Sequence, residues 1–325
     1  MALIVSNTVI LLFLYICFGY LMRKIGILDD TGTKALTGVF MLTSLPAIIL
    51  NGALNQVFDP ELLTNILIAF FSFSIVYIVL AIIGLIVAKL FKLPKAKVGV
   101  YAFCMSFSQI GLMGLPVVGA IWGGIGVFYG IVMTLAYFIL LPTMGVWLTL
   151  KSVETEDNNS QAYEFKPTIA LVVSIIGLVY YFSQEHLPEV LINLIRPAVI
   201  DGVGGGPIGA FIGGVAATGT PLSMFLIGSF LGRGKANDIL KEPDILVLTI
   251  IKLVAAPLLV LYVLQIFIED STLLGVLVIL CSMPTAALSA VYAEKYKADA
   301  AYASRAVLVT TIFSLITIPL IALLL

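Results

Sequence analysis

Apolar residues recur along this chain in ten long blocks, parted by short breaks rich in polar residues, glycine or proline. The blocks run approximately over 2–22, 35–54, 63–90, 98–122, 126–149, 167–183, 207–231, 244–268, 272–293 and 300–325. A membrane-crossing helix needs about 20 apolar residues. Strands of a membrane barrel would be roughly ten residues of strict alternation. The pattern therefore predicts an all-α polytopic membrane protein with ten transmembrane helices. In the first block, Arg23 and Lys24 follow the apolar stretch instead of preceding it, which predicts a retained first span and not a signal peptide.

Composition agrees and narrows the class. Apolar residues make up 61% of the chain and charged residues only 11%. An ordinary globular domain carries about 25% charged residues. So few charges cannot cover a soluble surface, which excludes a cytosolic enzyme, a nucleic-acid binder and a disordered chain. The net charge of −1 points to no strongly charged partner. Cys17, Cys104 and Cys281 are odd in number and lie in apolar blocks. They predict neither a disulfide framework nor a metal site, and no cofactor is expected. Enzyme motifs are absent as well. There is no P-loop, so no ATP-driven pump is expected, and the GVGGGP run at 202–207 follows no predicted strand.

The basic residues give an orientation. Arg23, Lys24, Lys34, Lys89, Lys92, Lys95, Lys97, Lys151, Lys166, Arg233, Lys235, Lys241, Lys295, Lys297 and Arg305 all fall near alternate connections. Arg196 is alone at the others, and Lys252 sits inside a span. The basic side is cytoplasmic by the positive-inside rule, which predicts a cell-membrane protein with both termini extracytoplasmic. The long polar connection 151–166 divides the chain into 1–150 and 167–325, with five spans each. Five is odd, so two such repeats would be inserted upside down. Prolines support this: Pro46, Pro116 and Pro142 are answered in order by Pro221, Pro284 and Pro319. The stretch LPEVLINLI at 187–195 predicts an amphipathic surface helix, and His186 is read as a solvated loop residue.

The candidate site lies where helices should break. In hydrocarbon each unsatisfied backbone group costs several kcal/mol. Interruption is tolerated only where protein or a water-filled cavity answers the freed groups. The fourth span joins Gly111, Gly114 and Pro116 to Ser106, Ser108 and Gln109. The ninth carries Ser282, Pro284, Thr285 and Ser289. Interruptions in corresponding spans point to a transporter's midplane site, with half-helix N-termini available to an anion. Proline-kinked packing helices with small-residue faces would look similar. Lys252 stands eight residues after Asp244, about 12 Å along a helix. Either its stem reaches back to the interface, or its ammonium faces a cavity and meets the solute's carboxylate. Arg305 is read as an interfacial anchor, Glu294, Lys295 and Lys297 as a solvated cap, and Asn51 as an interhelical hydrogen-bonding group. Tyr129 and Tyr137 either line the route or pack.

The segments Gly19–Leu50, Ser108–Gly123, Gly219–Leu231, Ile250–Leu259 and Met283–Tyr296 resemble the auxin efflux carrier family, which includes plant PIN-type carriers and bacterial malate and malonate permeases. The resemblance implies two inverted five-helix repeats with broken, crossing helices four and nine. It also implies a substrate at their crossing, an elevator-like shift, and a homodimer through helices two and seven. Gln109 stands near a place where family members often carry asparagine, and Leu288 stands at another. The expectation is a secondary transporter of small organic anions, malate or malonate among them, and not an enzyme. The substrate-binding candidates are Ser108, Gln109, Gly111, Gly114, Pro116, Lys252, Pro284 and Thr285, with H+ or Na+ as possible coupling ions. An anion channel or a non-transporting receptor is the alternative, and an auxin-like aromatic acid or an amino acid the alternative solute.

Overall fold

The computed structural model describes residues 2–153, 168–195, 206–233 and 242–325, with side chains from residue 10 onward except at Arg233. Lys166, Arg196, Lys235, Lys241, most of the 151–166 connection and most of the GVGGGP run lie outside the described residues. The described chain is helical, and its one β-type pairing is a single bridge. The helices are α1 (Ala2–Lys24), α2 (Asp30–Leu54), α3 (Leu62–Leu90) and α4 (Lys95–Ser106). A helical run, Ile110–Leu150, follows. Then come α7 (Ile169–Ser183), α8 (Glu189–Ile195), α9 (Pro207–Ala217), α10 (Gly219–Arg233), α11 (Pro243–Leu264), α12 (Ser271–Cys281), α13 (Leu288–Lys295) and α14 (Ala300–Ala322). Among the described residues, seven helical runs are long and apolar enough to cross a membrane.

The run Ile110–Leu150 is 41 residues long, far more than one crossing requires. Gly123 divides it, with φ 64° and ψ −144°. A β-carbon at Gly126 would stand 2.6 Å from the Val118 carbonyl oxygen. Eight residues of straight helix would separate those positions by about 12 Å. The chain therefore doubles back at Gly123, giving two arms, α5 (110–122) and α6 (124–150). A predicted loop between two spans is thus reduced to one glycine with positive φ.

Helix α3 shows why the apolar blocks lack polar faces. Leu67, Phe71, Ile75, Ile82 and Ile86 are exposed along one stripe, while Ala69, Phe73, Tyr77 and Ala88 are buried along the other. An apolar outer stripe matches hydrocarbon, and only the inner stripe meets protein. The membrane prolines leave a common local signature. Pro46, Pro116 and Pro257 follow π-helical turns at Phe40–Ser44, Ile110–Gly114 and Ile251–Ala255. A proline ring clashes with the carbonyl four residues earlier. The wider turn moves that carbonyl clear and re-forms the ladder five residues back, as in Leu115 N–H to Ile110 O.

Helix α1 packs along α10, while α2 packs against α7 and α9. Hydroxyl pairs tie the two halves of the chain together. Thr33 and Ser229 lie 2.7 Å apart, and Ser44 and Thr218 lie 2.9 Å apart. Helix α3 packs on α4, α11 on α12, and α14 on α4, α11 and α13. Helix α8 buries none of its residues, as expected of a surface helix, and His186 is exposed.

Candidate functional site

The fourth and ninth predicted blocks are both broken, and their breaks meet. Helix α4 stops at Ser106, the chain is extended at Phe107 and non-helical to Gln109, and α5 begins at Ile110. Helix α12 stops at Cys281, and α13 begins at Leu288. Between them Ser108 and Thr285 form an antiparallel bridge. Gln109 N–H donates to Pro284 O at 2.8 Å, and Ala286 N–H donates to Phe107 O at 3.0 Å. Each broken segment thus answers the other's exposed backbone, which is how a break survives in an apolar interior.

Side chains complete the arrangement. Helix α4 ends with four carbonyls that lack intrahelical partners. Phe103 O receives Phe107 N–H, and Cys104 O receives the Thr285 hydroxyl at 2.9 Å. Met105 O and Ser106 O receive the Lys252 ammonium at 2.9 and 3.5 Å, and Lys252 also donates to Ser108 Oγ at 3.1 Å. All four orphans are therefore satisfied. Thr285 N–H donates to Thr310 Oγ1, and Ser108 N–H to the Tyr77 hydroxyl. The Gln109 side-chain oxygen accepts from Ala287 N–H at 2.9 Å. Behind the crossing, Tyr77, Phe107 and Tyr137 pack with ring centroids 5.3–6.1 Å apart.

A cavity of about 600 Å³ opens beside the crossing, within the usual range of small-molecule sites. Its polar lining is Gln109, Thr285, Ser304, Arg305 and Thr311. Its apolar wall includes Leu112, Met113, Ile227, Phe230, Leu231 and Leu308. Leu112 and Met113 belong to the first turn of α5, whose N–H groups lack intrahelical partners. One guanidinium and several neutral polar side chains thus line a largely apolar chamber beside the start of α5.

Of the eight candidates from sequence, Gln109, Pro284 and Thr285 line the cavity. Ser108, Gly111, Gly114, Pro116 and Lys252 build the crossing or its helices without lining it. Lys252 is fully buried and turned toward backbone carbonyls, so its stem does not reach back to the interface. Tyr129 and Tyr137 are buried outside the cavity. Two expectations change. Arg305 is not a plain interfacial anchor: it lines the cavity and bonds Glu242 at 2.7 Å. Asn51 makes no interhelical side-chain bond among the described residues; its carbonyl accepts from Asn55 in the same helix. The missed residue is Arg305. Its signal was depth, because it enters α14 five residues past Ala300 and shares that helix with cavity-lining Leu308 and Thr311.

Comparison with known proteins agrees in class. A family described as "membrane transport protein" matches residues 4–184 and 189–322. An uncharacterized transporter of Methanocaldococcus jannaschii is 20% identical over 318 residues, covering 97% of this chain and 96% of its own. An uncharacterized transporter of Methanothermobacter thermautotrophicus is 22% identical over 321 residues, with the same coverages.

Proposed function

The chain belongs to the membrane transport protein family, and from that premise we propose that it is a secondary transporter of small organic anions, mono- or dicarboxylates such as malate or malonate. The observation that carries this reading is the cavity beside the crossing, with Arg305, Gln109, Thr285 and the first turn of α5 in its lining. A carboxylate matches the guanidinium and the positive N-terminal end of α5, and a carbon skeleton matches the apolar wall. Ser108, Gly111, Gly114, Pro116 and Pro284 shape the two half-helices, and Lys252 holds them through Ser108 and the α4 carbonyls.

The proposed architecture is ten spans in two inverted five-helix repeats. Packing supports it. An inverted repeat exchanges the halves, so the first helix of each should pack on the second helix of the other. Helix α1 packs on α10, and α7 packs on α2. The reversal at Gly123 and the paired breaks near Ser108 and Thr285 fit the same count. In this reading α1, α2, α7, α9 and α10 form a static scaffold, and the crossing shifts against it as an elevator. The cavity lies at the start of α14 and the end of α10, beside the basic connections, so it opens toward the cytoplasm under the positive-inside orientation. Val39, Met41 and Leu42 of α2 and Ile208 and Phe211 of α9 are exposed and apolar, and they supply the face for a homodimer. The test is saturable uptake of radiolabelled malate into proteoliposomes, under imposed H+ and Na+ gradients and without them. Channel-like currents, or binding without flux, would replace this reading.

A further inference from the structure

One ion pair at the cavity is only half made. Arg305 Nη2 donates to Glu242 Oε1 at 2.7 Å, with the two side chains 29% and 19% exposed. Guanidinium and carboxylate usually meet as a fork on a fork, through two parallel bonds. Here Arg305 Nε and Glu242 Oε2 are both buried, and neither has a hydrogen-bond partner among the described residues. Each group thus keeps an arm that the pair itself leaves unused. Glu242 also has a second cation. Lys97 Nζ approaches the same Oε1 at 3.4 Å and lies 4.7 Å from the centre of the Tyr302 ring. The Tyr302 hydroxyl in turn donates to Asp244.

We propose that Arg305 is the carboxylate anchor of the cavity and that Glu242 is its internal stand-in. Glu242 occupies the guanidinium while the cavity is empty, and the solute's carboxylate displaces it. The inference rests on the reading of this cavity as a solute site. Stranding a buried charge is strongly unfavourable, so such a swap needs another partner for the displaced carboxylate. Lys97 is that partner, already in contact. Arg305 exchanges one carboxylate for another, and its idle Nε gives the newcomer the second bond that Glu242 does not make. The ligand class that follows is a carboxylate presenting both oxygens to one guanidinium, with the neutral polar lining and the apolar wall receiving the remainder. The competing role for the pair is structural, pinning α14 to the start of α11.

The two roles differ in sign. The full-length protein is reconstituted as wild type, Arg305→Gln, Arg305→Lys and Glu242→Gln, and KM and maximal rate are measured for malonate and malate. Removing the anchor raises KM at least tenfold in Arg305→Gln, with partial recovery in Arg305→Lys. Removing the competitor lowers KM at least threefold in Glu242→Gln and slows maximal rate, because release becomes harder. A merely structural pair moves both variants the same way. An Arg305→Gln KM within twofold of wild type, or a raised KM in Glu242→Gln, overturns the proposal. Should Arg305→Gln not fold, Arg305→Lys and Glu242→Gln still carry opposite signs. A wild type that moves neither anion refutes the transport reading. The anchor is then judged by thermal stabilisation of the same proteins by malonate against uncharged malonamide. Equal stabilisation by the two, or none by malonate, refutes the anchor too.

Discussion

Lys252→Met tests the backbone accounting at the crossing. Methionine keeps most of the stem volume and removes the ammonium. The loss leaves Met105 O and Ser106 O without a donor and frees the Ser108 hydroxyl, in a place where Lys252 is fully buried. Hydrogen bonds from a charged donor contribute about 1.5–3 kcal/mol each, and an orphaned buried carbonyl costs about 1–3 kcal/mol. Against this stands the relief of no longer burying an ammonium, itself several kcal/mol. Because the partners are dipoles and no counter-carboxylate is lost, the two sides partly cancel. The expected net destabilisation is about 2–4 kcal/mol. For a chain of 325 residues that lowers Tm by about 3–6 °C. Cys104 and Cys281 are buried nearby, so a fluorogenic maleimide followed through a thermal ramp in detergent reads the opening directly. Malate flux should fall at least tenfold, since the carbonyls that set the angle between α4 and α5 lose their tie. Unchanged Tm together with unchanged flux would show that the ammonium does not organise the break.

Other perturbations separate the crossing from its scaffold. Thr285→Val removes the donor to Cys104 O and should destabilise by about 1–2 kcal/mol, with Thr285→Ser close to wild type; thermal ramps and flux measure both. Gln109→Leu deletes the acceptor for Ala287 N–H and a polar wall of the cavity; it should raise the malate KM severalfold in uptake assays. A β-carbon at Gly228 would stand 2.1 Å from Ile16 O, so Gly228→Leu should force α10 from α1 and lower Tm, while any folded fraction keeps its KM. Asp270 caps α12 at Thr272 and Leu273 and accepts from Tyr129 and Asn65; Asp270→Ala should lose about 1 kcal/mol or more of stability, read as a lower Tm in the same detergent.

The breaks were legible because glycine and proline inside an apolar block weaken the helix, and the hydroxyls beside them can answer the freed backbone. That pattern points to Ser108 and Thr285, and they are the two residues that bridge. The membrane class was legible from block length and charge content alone. The one-residue turn at Gly123 was not, because a loop of ordinary length and a single positive φ read alike in a glycine-rich stretch. Lys252 stood out as a lone charge in a span, but its partners are backbone carbonyls, which carry no signature in the residue alphabet. The pairing of Arg305 with Glu242 joins positions 63 residues apart, and Glu242 borders residues outside the described set, so periodicity offered no hint of it. Asn51 shows the converse: a polar residue in a span suggests a bond across helices, and its described bond stays within its own helix.

Passage of small organic anions through the cavity at the crossing is the central claim of the functional reading. Radiolabelled malate flux in proteoliposomes of the purified protein probes it, with unlabelled malonate, lactate, citrate and indole-3-acetate as competitors. The expected result is saturable flux that small carboxylates block and that Lys252→Met weakens. No flux under any imposed gradient, or a non-saturable current that carboxylates do not block, would contradict it.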